Sequence, residues 1–345
     1  MRLLLATYEY PPDKGGIASY LGGLFGAMPE HDVRVLKLRI PARRLGWLLQ
    51  LPKLWIASRW ADAVVVSHVL PLGTAAALIG KPYAVIVHGL DLRAAAAQPR
   101  KRPTAARVLK AAKLIVANSR ATADELAGFG VDPASALVVT PCPDPELERK
   151  GLGIDAREIF DLSGKKVLLS VGRLVGRKGF DRLVRLLPEL RKACEDVVLV
   201  IAGAGPEEGR LRSEAALSGM EPYVRFVIGP DQETLAALYR AADVFALAVR
   251  ASKGDVEGFG IVFLEAALFG VPSVGSRVGG VPEAIVDGRT GLLTDPDSES
   301  DLHEKLRRLL NDADGATRLG AAARARALED FRWPERAARL IERLS

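Results

Sequence analysis

The chain has 345 residues, 49% of them hydrophobic and 6% aromatic, with two cysteines and a net charge of +6. That length exceeds one ordinary compact core and predicts about two domains, and the composition excludes disordered and fibrous classes. Cys142 and Cys194 form no CxxC pair and the four histidines are scattered, which excludes a disulfide framework or a structural zinc site and makes a reducing cytoplasm the expected compartment.

Arg2 to Ala6 is apolar but meets Glu9 and Pro11-Pro12 too soon for a signal-peptide core, so it reads as a first buried strand. No apolar run approaches the roughly 18 to 20 residues that a spanning helix needs. Further strands are expected at Val33–Leu38, Ala63–Ser67, Tyr83–Val87, Leu114–Ala117 and Leu137–Val139. Helices are expected at Gly15–Met28, Leu45–Trp60, Gly73–Ile79, Thr104–Ala112 and Arg120–Phe129. This alternation predicts a doubly wound parallel sheet, whose ligands sit beyond the carboxyl ends of the strands. Two such loops stand out. Gly15-Gly16 opens a helix with bare backbone donors, and His88-Gly89 follows the fourth strand directly.

The whole net charge lies in residues 1–148, and residues 34–113 hold 15 basic residues against Asp62 and Asp91. Between Pro41 and Trp60, Arg43, Arg44, Lys53 and Arg59 alternate with Trp47, Leu48, Leu49, Trp55, Ile56 and Trp60. The tract reads equally as an anionic-membrane face or as a core helix with a solvated basic side, and Pro52 breaks any single long helix. Nucleic acid is not expected as a partner, because the tract carries Trp and Leu without a recognised binding motif.

A proline-rich, charged stretch from Asp144 to Gly153 reads as a linker, placing the first domain at 1–148 and a second at 149–328. Strands of the second are expected at Lys166–Val171, Val197–Ala202, Val224–Ile228, Val244–Ala248 and Pro272–Gly275. The ending from Phe331 is an amphipathic helix with Pro334 in its first turn. After Val171 the chain places Arg173 and Lys178 among glycines, two cations suited to a pyrophosphate. Gly203-Ala-Gly205 is not a dinucleotide fingerprint, since its third glycine comes one residue late and Pro206 departs from the pattern. Glu257 and Glu265 bracket Gly258, Gly260 and the start of an apolar helix; as a nucleotide-sugar clamp, one carboxylate would hold the transferred sugar and the other the ribose. Glu265 lies among apolar residues and needs a polar partner. The loop from Val274 to Gly288 reads as a structural closure. Asp295-Pro296-Asp297 reads as a cap for the following helix rather than a metal site, so no metal is expected.

Gly15-Gly16, His88-Gly89, Asn118-Ser119, Gly172-Arg173 with Lys178-Gly179, Gly203 to Pro206, the Glu257/Glu265 pair and Gly279 to Glu283 together resemble the retaining GT-B glycosyltransferases of family GT4. The tract Arg250–Glu265 is most similar to mannosyltransferases acting on phosphatidylinositol mannosides, with Ala251–Gly254 shorter than in them. The resemblance implies two Rossmann-like domains facing across a cleft, with the acceptor on the N-terminal side, the donor on the C-terminal side, and residues 329–345 crossing back to the first domain. It implies Arg173 and Lys178 on the departing diphosphate, Glu265 on the ribose, and Glu257 with the backbone of Phe259, Gly260 and Ile261 on the donor sugar. Ile228 backbone atoms would meet the base, Gly16 would belong to the donor site, and His88 would touch the sugar near the reacting carbon. The expected activity is transfer of a hexose, mannose from GDP-mannose, to a lipid-linked or anionic glycan acceptor at the cytoplasmic membrane face. The nucleotide sugar is a co-substrate, and no cofactor is required. A UDP-hexose donor and a non-catalytic sugar-nucleotide or glycan-binding relative are the alternatives.

Overall fold

The structure, a computed structural model, describes residues 1–13, 15–39, 46–250 and 256–345. Expectations for Lys14, for Arg43 and Arg44, and for Ala251–Asp255 lie outside the described residues. The chain forms two compact units, Met1–Cys142 with Arg332–Ser345, and Pro143–Phe331.

In the first unit the strands β1 (Arg2–Thr7), β2 (Asp32–Lys37), β3 (Ala63–Val66), β4 (Tyr83–Val87), β5 (Leu114–Ala117) and β6 (Leu137–Val138) form one parallel sheet in the order β2-β1-β3-β4-β5-β6. Residues of β4 and β5 are buried throughout, which is why they read as unbroken Val/Ile/Leu/Ala runs. Leu54, Ala76, Val108 and Leu109 from the covering helices pack on Leu4, Val64, Val66, Val85 and Val87.

The expected helix over Leu45–Trp60 is instead a 3-10 turn at Gly46–Gln50 followed by an α-helix at Leu51–Trp60, with Pro52 in its first turn, where its missing N–H costs nothing. A helix at Leu90–Ala96 was not expected. It begins at Gly89, whose φ of 85° lies in the region that favours glycine. The C-terminal helix Trp333–Leu344 packs in this unit, with Trp333 against Gly23: a Cβ there would lie 2.2 Å from the indole.

In the second unit β7 (Lys166–Val171), β8 (Val197–Gly203), β9 (Val224–Ile228), β10 (Val244–Leu247), β11 (Ser273–Ser276) and β12 (Leu292–Thr294) run parallel in the order β12-β11-β10-β7-β8-β9. Read outward from β7, this is the 3-2-1-4-5-6 order of dinucleotide-type sheets, and its switch point lies between β7 and β10. β12, only three residues long, was not expected. The cap of the helix Glu299–Asn311 is Ser298, which accepts from the Asp301 N–H; Asp295 instead makes a local turn, accepting from the Asp297 N–H at 2.9 Å. The expectation that the Asp295/Asp297 triplet caps this helix is corrected accordingly.

Candidate active site

The β7/β10 switch point gathers one cluster of charged residues of the second unit. The chain leaves β7 through Gly172 and makes a 3-10 turn at Gly176–Lys178. It then enters the helix Phe180–Ala193 through Gly179, where a Cβ would lie 1.9 Å from the Ala248 carbonyl oxygen. Gly203 and Gly205 are explained the same way: a Cβ on either would strike the Gly172 or Leu174 carbonyl, at 1.9 and 2.3 Å. Leu174 N–H donates to Ala204 and the Leu174 carbonyl accepts from Glu207 N–H. The glycine pair therefore braces the cation loop by backbone contact.

Lys178 is buried, and its Nζ lies 2.6 Å from Glu257 Oε2; Arg177 Nη1 lies 2.6 Å from the same oxygen. Burial pushes the Glu257 carboxyl up, but Lys178 and Arg177 more than reverse this and hold it at about 2. The sequence reading paired Lys178 with Arg173. Arg173 shares the loop but is exposed, and among the described residues it forms no ion pair, whereas Arg177 occupies the carboxylate. Beneath this turn Arg250 bonds Asp181 through both guanidinium nitrogens, at 2.7 and 2.6 Å, and also the Gly176 carbonyl. Burial raises the Asp181 carboxyl, but Arg250 and Arg185 pull it to about 2. The pair ties the helix start to the strand end from which the Glu257 loop departs.

Gly260, at φ 86°, starts the helix Ile261–Leu268, which has no side-chain N-cap, and Phe259 is buried against Phe331. The loop ahead of it rests on Gly279 and Gly280, where a Cβ would meet the Glu257 or Gly258 carbonyl at 2.1 or 2.2 Å. Glu265, half-buried one turn into the helix, finds its polar partner in the Tyr239 hydroxyl, which donates to Oε2 at 2.8 Å. Burial raises the Glu265 carboxyl against that bond and keeps Tyr239 far above its usual range. Ile228 is exposed at the end of β9, beside Gly229, whose N–H donates to the Gly203 carbonyl.

His88 and Gly16 belong to the first unit. Gly16 is exposed at the start of the helix Gly16–Gly26, and among the described residues a Cβ there would meet nothing within 4 Å, so packing does not demand glycine. His88 is buried, and its backbone N–H donates to Asp91 Oδ1 at 3.0 Å. The other Asp91 oxygen accepts from the Val69 N–H, so one carboxylate ties the loops after β3 and β4 together. Tyr20 meets the His88 ring edge-on at 5.7 Å and Trp333 at 5.6 Å. Burial pushes the His88 ring down to about 4, with Asp91 opposing, so the ring is neutral near pH 7.

The chain matches the description Glycosyl transferases group 1 over residues 155–326 and Glycosyl transferase 4-like domain over residues 4–142. It is 33% identical over 382 residues to the GDP-mannose-dependent alpha-(1-6)-phosphatidylinositol monomannoside mannosyltransferase of Mycolicibacterium smegmatis, covering 99% of this chain and 98% of that one. The chain belongs to the group 1 glycosyltransferases. A relative of the same name from Mycobacterium tuberculosis is 31% identical to this glycosyltransferase over 99% of its length and 97% of the relative's. Among solved structures, Anabaena HepE in complex with UDP and glucose has a TM-score of 0.82 at 20% identity, covering 100% of this chain and 99% of that one. WaaG, a glycosyltransferase involved in lipopolysaccharide biosynthesis, has a TM-score of 0.73 at 21% identity, covering 98% and 99%. These likenesses carry the fold, so the α/β architecture of two doubly wound units is the GT-B fold of this glycosyltransferase family.

Proposed function

We propose that this glycosyltransferase moves mannose from GDP-mannose, with retention of configuration and without a metal, to a lipid-linked acceptor at the cytoplasmic membrane face. The observation that carries the reading is the Arg177/Lys178/Glu257 cluster at the β7/β10 switch point, next to the uncapped start of the helix Ile261–Leu268. Lys178 and Arg173 would take the charge that develops on the departing diphosphate, which is the electrostatic task a metal performs elsewhere. Glu257, ionised at any physiological pH, would accept hydroxyl protons of the donor sugar, and the uncapped N–H groups would face its phosphates. Glu265 would hold the ribose from its place beside Tyr239. His88, neutral, would contact the sugar at the reacting carbon. Similarity to the mannosyltransferases supports mannose and a phosphatidylinositol-mannoside-type acceptor.

Support for membrane docking comes from the first unit. Trp55 and Ile56 are 48% and 64% exposed on the helix Leu51–Trp60, Leu49 and Leu78 are exposed beside them, and Arg59 lies over the Trp55 ring. An apolar cavity of about 470 Å³ opens between Leu51, Pro52, Trp55, Leu78 and Ile79. Apolar exposure combined with cations fits an anionic bilayer better than a core helix with a solvated side. No helix among the described residues is long and apolar enough to cross a membrane. The test is calorimetric titration with GDP and UDP, followed by turnover of labelled GDP-mannose with vesicle-borne acceptor in excess EDTA. Tight GDP binding and EDTA-resistant transfer are expected. Preference for UDP would replace the donor, and loss of transfer restored by magnesium would overturn the metal-free step.

A further inference from the structure

The first sheet has its own switch point, between β1 and β3, where the chain after β1 goes to one side and the chain after β2 returns on the other. Thr7 ends β1 and Ser67-His68 follows β3. There the hydrogen bonds can be followed proton by proton. The Thr7 hydroxyl donates to the Glu9 carbonyl at 2.9 Å, so its oxygen accepts from the Ser67 hydroxyl at 2.8 Å. Ser67 Oγ, its own proton spent, lies 2.9 Å from His68 Nδ1 and accepts from it. His68 is thereby held with its proton on Nδ1 and a lone pair on Nε2. Burial lowers the affinity of this ring for a second proton.

The His68 ring lines a cavity of about 240 Å³ together with His88, Ile17, Leu90, Asp91 and Lys101, so its two charged side chains are of opposite sign. The two imidazoles stand 5.7 Å apart, centroid to centroid. Asp91 accepts from the backbone N–H groups of His88 and Val69, one on each oxygen, which fixes its position in the wall, and beside it the two imidazoles offer ring nitrogens as uncharged acceptors. The volume falls below the roughly 300 to 1,000 Å³ of pockets for drug-sized ligands, so it suits one ring rather than a chain.

We infer that His68 is a substrate-binding residue whose Nε2 accepts a hydrogen bond from a hydroxyl of a ring polyol, the terminal ring of the acceptor, in the cavity it shares with His88. This rests on the glycosyl-transfer reading for the name acceptor, but not for the polyol site itself. A hydroxyl held on His68 stands next to the ring proposed to meet the reacting carbon, which is the near-attack placement that transfer requires. The Thr7–Ser67 chain is what keeps the proton on Nδ1 and the lone pair on Nε2.

The test uses the full chain with His68→Phe, which fills the space without an acceptor, His68→Gln, whose amide oxygen replaces Nε2, and Ser67→Ala, which leaves the ring but frees its tautomer. Two readouts are taken: KM for GDP-mannose and for vesicle-borne phosphatidylinositol monomannoside, and saturation-transfer NMR of myo-inositol and methyl α-mannoside. The loss of one hydrogen bond predicts an acceptor KM about tenfold higher in His68→Phe with the donor KM unmoved, recovery to within about threefold in His68→Gln, and a smaller rise in Ser67→Ala. The polyol NMR signal should vanish in His68→Phe. An acceptor KM within about twofold of wild type, or donor and acceptor KM rising together, overturns the assignment. Should His68→Phe not fold, an unmoved acceptor KM in Ser67→Ala overturns it equally. If wild type turns over no donor yet binds a polyol that His68→Phe no longer binds, the proposed reaction falls while the His68 site stands; a polyol signal undiminished in His68→Phe sinks the site.

Discussion

At the switch point of the second sheet, Lys178, Arg177, Glu257, Asp181 and Arg250 form buried or half-buried ion pairs. At the switch point of the first, the side chains are Thr7, Ser67 and His68, with His88 and Asp91 alongside, and the imidazoles are held neutral. Both addresses follow from the same rule, that loops on either side of a reversal in strand order open a crevice. What differs is the charge of the expected guest. A diphosphate needs fixed cations, and those cations need a carboxylate companion to remain buried together. A polyol needs uncharged acceptors and donors in a fixed tautomer. The contrast supplies the following ways to break or sharpen it.

The largest effect is expected at the charged address. Lys178→Ala removes the buried cation and leaves Glu257 with Arg177 alone, so turnover should fall by about 100-fold or more, a transition-state loss near 3 kcal/mol. Arg173→Ala, at an exposed position on the same loop, should fall by about tenfold. Steady-state kinetics with saturating acceptor decides the matter; unchanged turnover in both variants would remove this loop from the mechanism.

Acid should begin to loosen the first unit at a higher pH than the second. Glu257 and Asp181 have folded values near 2, below their ordinary 4.5 and 3.8, so the unfolded chain binds protons first as pH drops. Their stabilisation is complete above about pH 4.5 and is lost as pH falls through 2. His88 is also depressed, from 6.5 to about 4, which favours its neutral form: its stabilisation is complete above about pH 6.5 and is lost as pH falls through 4. Trp47, Trp55, Trp60 and Trp333 all lie in the first unit, so indole fluorescence reports that unit alone while far-UV circular dichroism reports both. Denaturant midpoints should drop by fluorescence between pH 6.5 and 4, and His88→Phe should flatten that slope. Coincident fluorescence and dichroism transitions across the whole range would show that the two addresses are not titrating apart.

A smaller effect is expected where the C-terminal helix supports the neutral address. Gly23→Ala places a methyl group within the Trp333 indole and should destabilise the first unit by about 1 to 3 kcal/mol through overpacking. Trp333 in turn meets Tyr20, and Tyr20 meets His88. Urea unfolding followed by tryptophan emission should show an earlier midpoint in Gly23→Ala; an unmoved midpoint would mean that the indole shifts at no cost.

Much of this was legible in the chain because buried parallel strands read as unbroken apolar runs, so five strands of each sheet and β6 were placed within a residue or two. The three-residue β12 is too short to carry a pattern. The helix Leu90–Ala96 follows His88-Gly89 with no intervening turn signal, since Gly89 itself makes the turn. At the site, Lys178, Glu257 and Glu265 could be found as charges among glycines and apolar residues at strand ends. Arg177 was passed over because two adjacent cations in a loop are indistinguishable until the turn at Gly176–Lys178 shows which of them meet the carboxylate. Tyr239, Asp91 and His68 could not be found at all, since each gains its meaning from a strand order and a tertiary neighbour. The need of Glu265 for a polar partner was legible from its apolar surroundings; the identity of that partner, 26 residues earlier in the chain, was not.

The smallest effect concerns the exposed face of the helix Leu51–Trp60 in the first unit. Lys53 and Arg59 stand on the exposed side of the helix Leu51–Trp60 with Trp55 and Ile56, while Leu54 and Ser58 face inward. Near an anionic bilayer each cation contributes about 1 kcal/mol, and that contribution fades within a Debye length as salt rises. Lys53→Ser alone should therefore weaken sedimentation with phosphatidylserine-containing vesicles about fivefold at low salt and hardly at all at high salt. Trp55→Ser should instead remove binding that salt does not touch, because the indole enters the interface by its apolar area. The two variants thus separate attraction from insertion on one helix face. GDP affinity should be unmoved in both, since neither Lys53 nor Trp55 is among the residues assigned to the donor. A wild-type protein that ignores anionic vesicles even at low salt would sink the docking surface, and the exposed Trp55 and Ile56 would then have to face another protein.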